Sequence, residues 1–409
     1  MAIVLRRVRT FDSIQRYPDY RWLWLGSMTE HAGEWMETVA LGWLMLQLTD
    51  SAFLLGLVGV CRMAPRLFFP LLGGLVADRV NRRNLLMASL LAFSVLAFAL
   101  AALVATGVVQ AWHVLVVVTL GGVSMSFNHP ARNTILPNLV PRQDLTNAVS
   151  LDIASVNGSR ILGPPLAGLL IPVLGTPAVF VARGLGCILA AFWLFHIKTD
   201  MTPIAGDRKV SLFKDFREGI SYLRLSPSLL QLTLLWGMLY TVVHPYTNLL
   251  PIFARDILHA GPQGLGFLVG AAGAGALVGT LGLASMAGFR SKGKLLFATG
   301  IAVGIFMIFF SYSPWFLVSL GLVVIMGVTN SSYMAVNNTL IQLHATDEMR
   351  GRVMSVREVT MAINLFGSLV MGALADVSGA PLAVAVFGGV MALTSGWFLV
   401  RMSDVRRME

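Results

Sequence analysis

Three glutamates and a histidine, Glu30, His31, Glu34 and Glu37, stand inside a run that otherwise reads as a membrane-crossing helix over Trp22–Leu46. Spacings of four and three place the glutamates on one helical face. A carboxylate held away from water binds its proton more tightly, and a histidine changes charge near neutrality. This face could therefore take up and release protons. Arg62 and Arg160 lie in other apolar runs at a matching depth. Counted from their span ends, Glu34, Arg62 and Arg160 sit roughly 18, 15 and 18 Å in. Charges at such depth are costly and point to function. The expectation is that Glu34 or Glu37 pairs with Arg62 or Arg160 and that protonation breaks the pair. Two alternatives stand beside it: permanent structural ion pairs, or arginines whose partner is the carboxylate of a bound molecule.

The elements that must position these residues follow from composition. Of 409 residues, 56% are hydrophobic and only 12% charged. That is about half the charged fraction of an ordinary soluble domain, too little to cover an aqueous surface. Apolar runs of bilayer-crossing length, about 20 residues, recur along the chain. The predicted spans are Trp22–Leu46, Ala52–Val76, Leu85–Thr106, Trp112–Phe127, Ala148–Pro172, Ala178–Ile197, Leu229–Leu250, Leu265–Ala287, Leu295–Tyr312, Trp315–Val336, Val353–Ala375 and Leu382–Val400. The N-terminal stretch lacks a signal-peptide core, so the first span is expected to be retained. Cys61 and Cys187 fall inside spans and read as small buried hydrophobes.

Charge sets the expected topology. The net charge is +10, and with the N-terminus placed in the cytoplasm 25 of the 30 Lys and Arg residues fall in cytoplasmic segments. Arg132 and Arg357 are counted among them, Arg255 alone falls in an outer loop, and Arg62, Arg66, Arg160 and Arg183 lie within spans. This is the positive-inside pattern with both termini inside. The basic residues are scattered through short loops, which argues against nucleic-acid binding. A phosphate-loop imitation at Gly288, Gly293 and Lys294 continues with Leu295 instead of Ser or Thr, so no nucleotide site is expected.

The chain also repeats. Asn133-Thr134 and Ser150 recur as Asn338-Thr339 and Ser355, an offset of 205 residues, each copy joining the fourth and fifth spans of its half. Duplicated halves around a midplane site are a transporter plan. The division is a six-helix bundle over residues 1–197, a cytoplasmic linker over 198–227 with a surface helix at Phe213–Leu225, and a second bundle over 228–409. The second half shows no obvious midplane charge. Its candidates are Trp236, Tyr240, Asn248, Tyr333, Asn337 and Asn364, with His244 and Asn330 nearby. Aromatics with a few amides suit a large, partly apolar ligand. Span eight is glycine-rich, from Gly266 to Gly282, suited to tight helix contact or to bending.

Residues 74–83, with Gly74, Asp78, Arg79, Arg82 and Arg83, lie between spans two and three and resemble the loop signature of the major facilitator superfamily. The segments Gly33-Glu34-Trp35, Asp144–Ala148, Gly163–Gly168 and Arg350–Ser355 are similar to the branch holding enterobactin exporters and macrolide efflux proteins. The Gly163–Gly168 segment resembles the span-five motif of proton antiporters, with its glycine spacing shifted by one residue. The resemblance implies an all-α membrane protein of major facilitator fold, with twelve transmembrane helices in two pseudo-symmetric six-helix bundles. It implies a bacterial inner-membrane exporter of drugs or siderophores, not an enzyme, that uses the proton gradient and no cofactor or metal. The implied partners are a small-molecule substrate, protons and lipid, with the chain working as a monomer. Gly74, Asp78, Arg79, Arg82 and Arg83 would form a cytoplasmic gate, for which Asp152 and Glu358 are the expected partners. Two other functions remain open: an importer or facilitator of a small anionic solute held by Arg62 and Arg160, and a sensor or scaffold that moves nothing.

Overall fold

The computed structural model describes residues 11–69, 76, 80–199, 212–285, 291–361 and 363–408, without the side chains of residues 66, 68, 133 and 212–215. The described regular structure is helical throughout. In the first half, α1 is Pro18–Thr49, α2 Ala52–Met63, α3 Arg82–Ala105, α4 Ala111–Leu139, α5 Leu145–Leu174 and α6 Thr176–Phe195. The linker carries α7, Leu212–Leu225, where a helix is expected. In the second half, α8 is Pro227–Val242 and α9 Tyr246–Ile252, continued by a π-helical turn over Phe253–Ile257. Then come α10, Gly261–Ser285; α11, Lys292–Ser311; α12, Phe316–His344; α13, Asp347–Met361; α14, Asn364–Ser378; and α15, Ala380–Arg401.

Among the described residues, eight helices are long and apolar enough to cross a membrane, or nine if the pair bent by 116° at α7 and α8 is one crossing. Helix α1, at 32 residues, and α5, at 30, have the length to cross. Three glutamates in α1 and Arg160 with three prolines in α5 dilute their apolar character. The outer faces are bare hydrocarbon. Leu162, Leu166, Leu169 and Val173 repeat along one side of α5 and are 47–77% exposed, a surface that needs lipid to cover it.

Local chemistry sets several boundaries. Ser51 caps α2 by accepting from the Leu54 amide, and Asn81 caps α3 by accepting from the amides of Arg83 and Asn84. Gly175 and Gly379, at φ +80° and +86°, make the tight turns before α6 and α15, each followed two residues later by proline. A side chain would strain both turns. Their equivalent places are a second trace of the internal repeat. Two expected boundaries need correction. Helix α4 runs straight through Pro130 to Leu139, so Arg132 lies within a helix and not in a cytoplasmic loop. The long outer loop expected after Leu250 is instead helical as far as Ile257.

The two halves meet at one end, the expected outer one. Helix α5 packs on α10, and α2 on α14. A Cβ on Gly168 would stand 2.7 Å from the Pro262 carbonyl oxygen, and one on Gly266 would stand 2.5 Å from that of Pro164. The backbones touch because no side chain separates them. Polar contacts seal the same end: Arg255 pairs with Asp50 at 2.6 Å, and Asp376 accepts from the Ser51 hydroxyl at 2.9 Å and the Ala52 amide at 2.5 Å. The two aspartates Asp256 and Asp50 hold the Arg255 guanidinium above its ordinary value by hydrogen bonding to it. Toward the other end, α4 packs on α1, α2, α3 and α5, and α12 on α8, α10 and α11. Each of these long helices thus stays with its own half of the chain. Gly266, Gly270 and Gly273 of α10 therefore serve close packing against α5, and Gly275 and Gly279 against α12, while Gly282 meets no neighbour.

Candidate functional site

The polar face of α1 is where the first half gathers its buried charge. Three of its residues meet three arginines from three different helices. Glu30, 2% exposed, is ion-paired with Arg132 of α4 and accepts from Asn128 Nδ2 at 3.1 Å. Glu34 Oε1 lies 3.9 Å from Arg62 Nη2 of α2, and its Oε2 lies 3.6 Å from His31 Nδ1. Glu37 Oε2 lies 3.2 Å from Arg183 Nε of α6. Arg183 also donates to the Glu30 backbone carbonyl at 2.7 Å, and Arg62 donates to Thr38 Oγ1 at 2.9 Å. Each carboxylate thus has one arginine, which offsets the cost of taking six charges out of water.

His31 links two of these pairs. Its Nε2 lies 2.7 Å from Arg132 Nη1. A guanidinium only donates, so Nε2 is the acceptor in this contact, and Nδ1 faces Glu34. A polar track therefore runs from Glu34 through His31 to Arg132 and Glu30.

The three pairs are not equivalent. Glu30 and Arg183 are almost sealed. Glu34 and Arg62 are 25% and 33% exposed and separated by more than a hydrogen-bond length. Glu34, Glu37, Arg62 and Arg183 line a cavity of about 60 Å³ whose other walls are apolar, including Phe93, Leu96, Val117 and Val118. That is room for a few water molecules and short of the several hundred Å³ that a drug-sized ligand fills.

Several expected partnerships are absent from this geometry. Arg160 does not meet the glutamates; its guanidinium lies 5.2 Å from the Trp35 ring centroid and faces a second cavity. Depth along a helix was matched, but α5 turns Arg160 toward the second half. Arg132 and Arg183 take the roles that depth assigned elsewhere. Arg183 was legible as an intramembrane charge. Arg132 was missed because the predicted fourth span ends at Phe127, whereas α4 continues to Leu139.

The second half does hold a buried charge. Arg357, 7% exposed, donates to Asn338 Oδ1 at 2.5 Å and lies 4.0 Å from the Trp236 ring centroid. It is not a loop residue but part of α13, so Trp236 is its packing partner. Tyr333 and Asn337 are fully buried and donate to the carbonyls of Leu235 and Leu232, tying α12 to α8; neither lines a cavity described here. Tyr240 stacks on His244 at 4.3 Å. Asn248 donates to Ser368 Oγ, which donates to Asn364 Oδ1, where α9 and α14 approach Gly59 of α2.

Of the gate residues, Gly74, Asp78 and Arg79 lie outside the described residues. Arg82 donates to the Thr134 carbonyl and Arg83 to that of Ile197. These are carbonyls at the ends of α4 and α6, not the expected carboxylates. Glu358 is exposed and pairs with its neighbour Arg357 at 3.3 Å, and Asp152 is half-buried on α5.

The whole arrangement has relatives. A family model described as transmembrane secretion effector, within the major facilitator superfamily, matches residues 13–409. The chain belongs to this family. It is a multi-pass membrane transporter and not an enzyme. It is 22% identical to the staphyloferrin A transporter of Staphylococcus aureus over 87% of this chain and 89% of that one. It is 25% identical to macrolide efflux protein A of Streptococcus pyogenes over 86% and 88%. It is 29% identical to the multidrug efflux pump Tap of Mycobacterium tuberculosis over 85% of each chain. In fold it resembles a bacterial homologue of the human lysosomal transporter Spinster in an inward-facing, occupied conformation, with a TM-score of 0.77 at 14% identity over 95% and 97% of the two chains. It also resembles the nucleoside transporter NupG, with a TM-score of 0.75 at 12% identity over 94% and 100%.

Proposed function

We propose that this transporter exports small amphipathic or aromatic compounds, drugs or siderophores among them, in exchange for protons. It does so as a single chain of twelve crossings in a bacterial inner membrane, with both termini in the cytoplasm. Residues 1–197 and 228–409 rock about the substrate path, and residues 198–227 connect them. The observation that carries the reading is the loosely held Glu34. It is the most exposed of the three α1 carboxylates, sits beyond hydrogen-bond reach of Arg62, and opens on a cavity that can hold water.

The working cycle follows from electrostatics. With the expected outer end closed, Glu34 is ionised and balances Arg62. Once the outer end has opened, a proton arriving from outside cancels that charge and frees Arg62 to turn elsewhere, which changes the relative energy of the two closed ends. Release of the proton to the cytoplasm restores the pair. His31 offers Nδ1–H to Glu34 and is placed to exchange that proton. The Glu30–Arg132 and Glu37–Arg183 pairs hold α1 to α4 and α6 while this happens. Three kinds of relative, a siderophore transporter, a macrolide efflux protein and a multidrug pump, support an organic cargo.

The test is flux in proteoliposomes. A fluorescent dye should move against its gradient when the opposite pH gradient is imposed, and a protonophore should stop it. One proton per molecule at one pH unit limits accumulation to about tenfold. Dye movement down its own gradient regardless of pH would favour a facilitator. Absence of flux for every compound tried, with a partner protein bound instead, would favour a sensor.

A further inference from the structure

We propose that the second cavity, where Arg160 of α5 meets the second half, binds the carboxylate of an amphipathic organic anion. This rests on the exporter reading only in placing the cavity on the substrate path. Arg160 differs from the three arginines that reach the polar face of α1. Arg62, Arg132 and Arg183 each face a glutamate, whereas no carboxylate lies within ion-pair distance of Arg160 among the described residues. Its Nε is buried without a hydrogen-bond partner. A half-buried cation with no balancing charge is costly, and a protein that balances three such charges with its own carboxylates leaves this one for something else.

The walls specify that partner. His244 Nε2 and Asn330 Oδ1 are likewise buried and unpartnered, and both residues line the same cavity as Arg160. The Asn330 amide has only the Met334 sulfur at 3.8 Å to hold its nitrogen, so it can rotate to donate inward. A carboxylate here would accept from Arg160, from His244 Nε2–H and from the Asn330 amide. One cation with two neutral donors balances one negative charge, which suits a carboxylate better than a doubly charged phosphate. Apart from Thr247, whose hydroxyl donates to the His244 carbonyl, the remaining lining is apolar or aromatic, Tyr246, Val303 and Met326 among it, with Trp35 against the guanidinium. The volume, about 30 Å³, takes a head group and not a whole ligand.

The position fits a substrate path. A Cβ on Gly273 would lie 3.0 Å from Arg160, and the close contact of α5 with α10 runs outward from there through Gly270 and Gly266. Arg160 therefore stands at the inner edge of the sealed region. An anion on Arg160 touches both halves, as a ligand must to report its presence to the hinge between them.

Equilibrium dialysis on the full-length protein in lipid nanodiscs tests this with no pH gradient, so its outcome is separate from that of proton coupling. The probes are 1-naphthoate and its neutral near-isostere 1-naphthamide. The wild type is expected to bind the acid about tenfold more tightly than the amide. Arg160→Gln should erase the preference and Arg160→Lys should keep part of it. Asn330→Asp places a carboxylate of the protein's own beside the guanidinium, and should erase the preference while leaving the arginine in place. Arg142→Gln, which removes an exposed charge, should leave the preference intact. Equal binding of the two probes by the wild type, no binding of the acid, or a preference that survives Arg160→Gln in a folded, monodisperse protein would each overturn the proposal.

Discussion

Arg183 and Arg160 stand in neighbouring helices of the same half, each in a largely apolar setting, and they are treated in opposite ways. Arg183 is 3% exposed, faces Glu37, and also holds the Glu30 carbonyl. Arg160 has an aromatic face, a cavity, and no carboxylate among the described residues within reach. The contrast separates two uses of a costly charge. A charge matched inside the protein fixes helices in place and can be switched by a proton. A charge left unmatched is available to a ligand. Within the matched set the same logic grades the pairs, from the sealed Glu30–Arg132 to the loose Glu34–Arg62.

Breaking a sealed pair should have the largest effect. Glu30→Ala takes the balancing carboxylate from Arg132 and one of two acceptors from the Asn128 amide. Loss of one member of a buried pair costs roughly 3–5 kcal/mol. The purified protein should melt far below the wild type, and Glu30→Leu combined with Arg132→Met should recover most of the loss. A single variant with wild-type stability would show that the pair is not structural.

A wedge at the closed end should have a smaller effect. In Gly168→Val, the new side chain meets the Pro262 carbonyl. Overpacking of this kind costs about 1–3 kcal/mol, and here it falls on the closed state alone. Spin labels placed across the α5–α10 contact should report a longer mean distance. An unchanged distance distribution would mean that the backbones can separate without opening this end.

Arg255→Ala should have the smallest effect. Its partners Asp50 and Asp256 are largely exposed, and such pairs are worth about 0–1 kcal/mol. The same spin labels should show less than a fivefold change in population, and added salt should mimic it in the wild type. A shift as large as that of Gly168→Val would make the ion pair the main seal.

The sequence made the helical membrane fold and the α1 glutamates legible because both are periodic signals. Spacings of three and four put Glu30, Glu34 and Glu37 on one face, and the structure has them there. Partners were harder. Rise per residue gives depth but not azimuth, so Arg62 and Arg160 read alike although α2 turns one toward α1 and α5 turns the other away. Arg132 was lost because the apolar run thins after Phe127 while the helix goes on through Pro130 and Pro137 to Leu139, as prolines within a membrane helix allow. Tyr333 and Asn337 look like cavity residues by type, yet they spend their donors on α8 carbonyls, a pairing between distant segments that no local pattern reveals. Arg357 was counted with the cytoplasmic arginines although the predicted span Val353–Ala375 contains it. Only the packing of Trp236 against it shows that it is interior.

The central claim is that Glu34 is the site where a proton enters the cycle. Glu34→Gln keeps size and shape and removes the charge. In proteoliposomes the variant should still exchange labelled for unlabelled substrate across the membrane, while losing accumulation driven by an imposed pH gradient. If the variant accumulates substrate as the wild type does, the coupling proton binds elsewhere and the account of the α1 face is wrong.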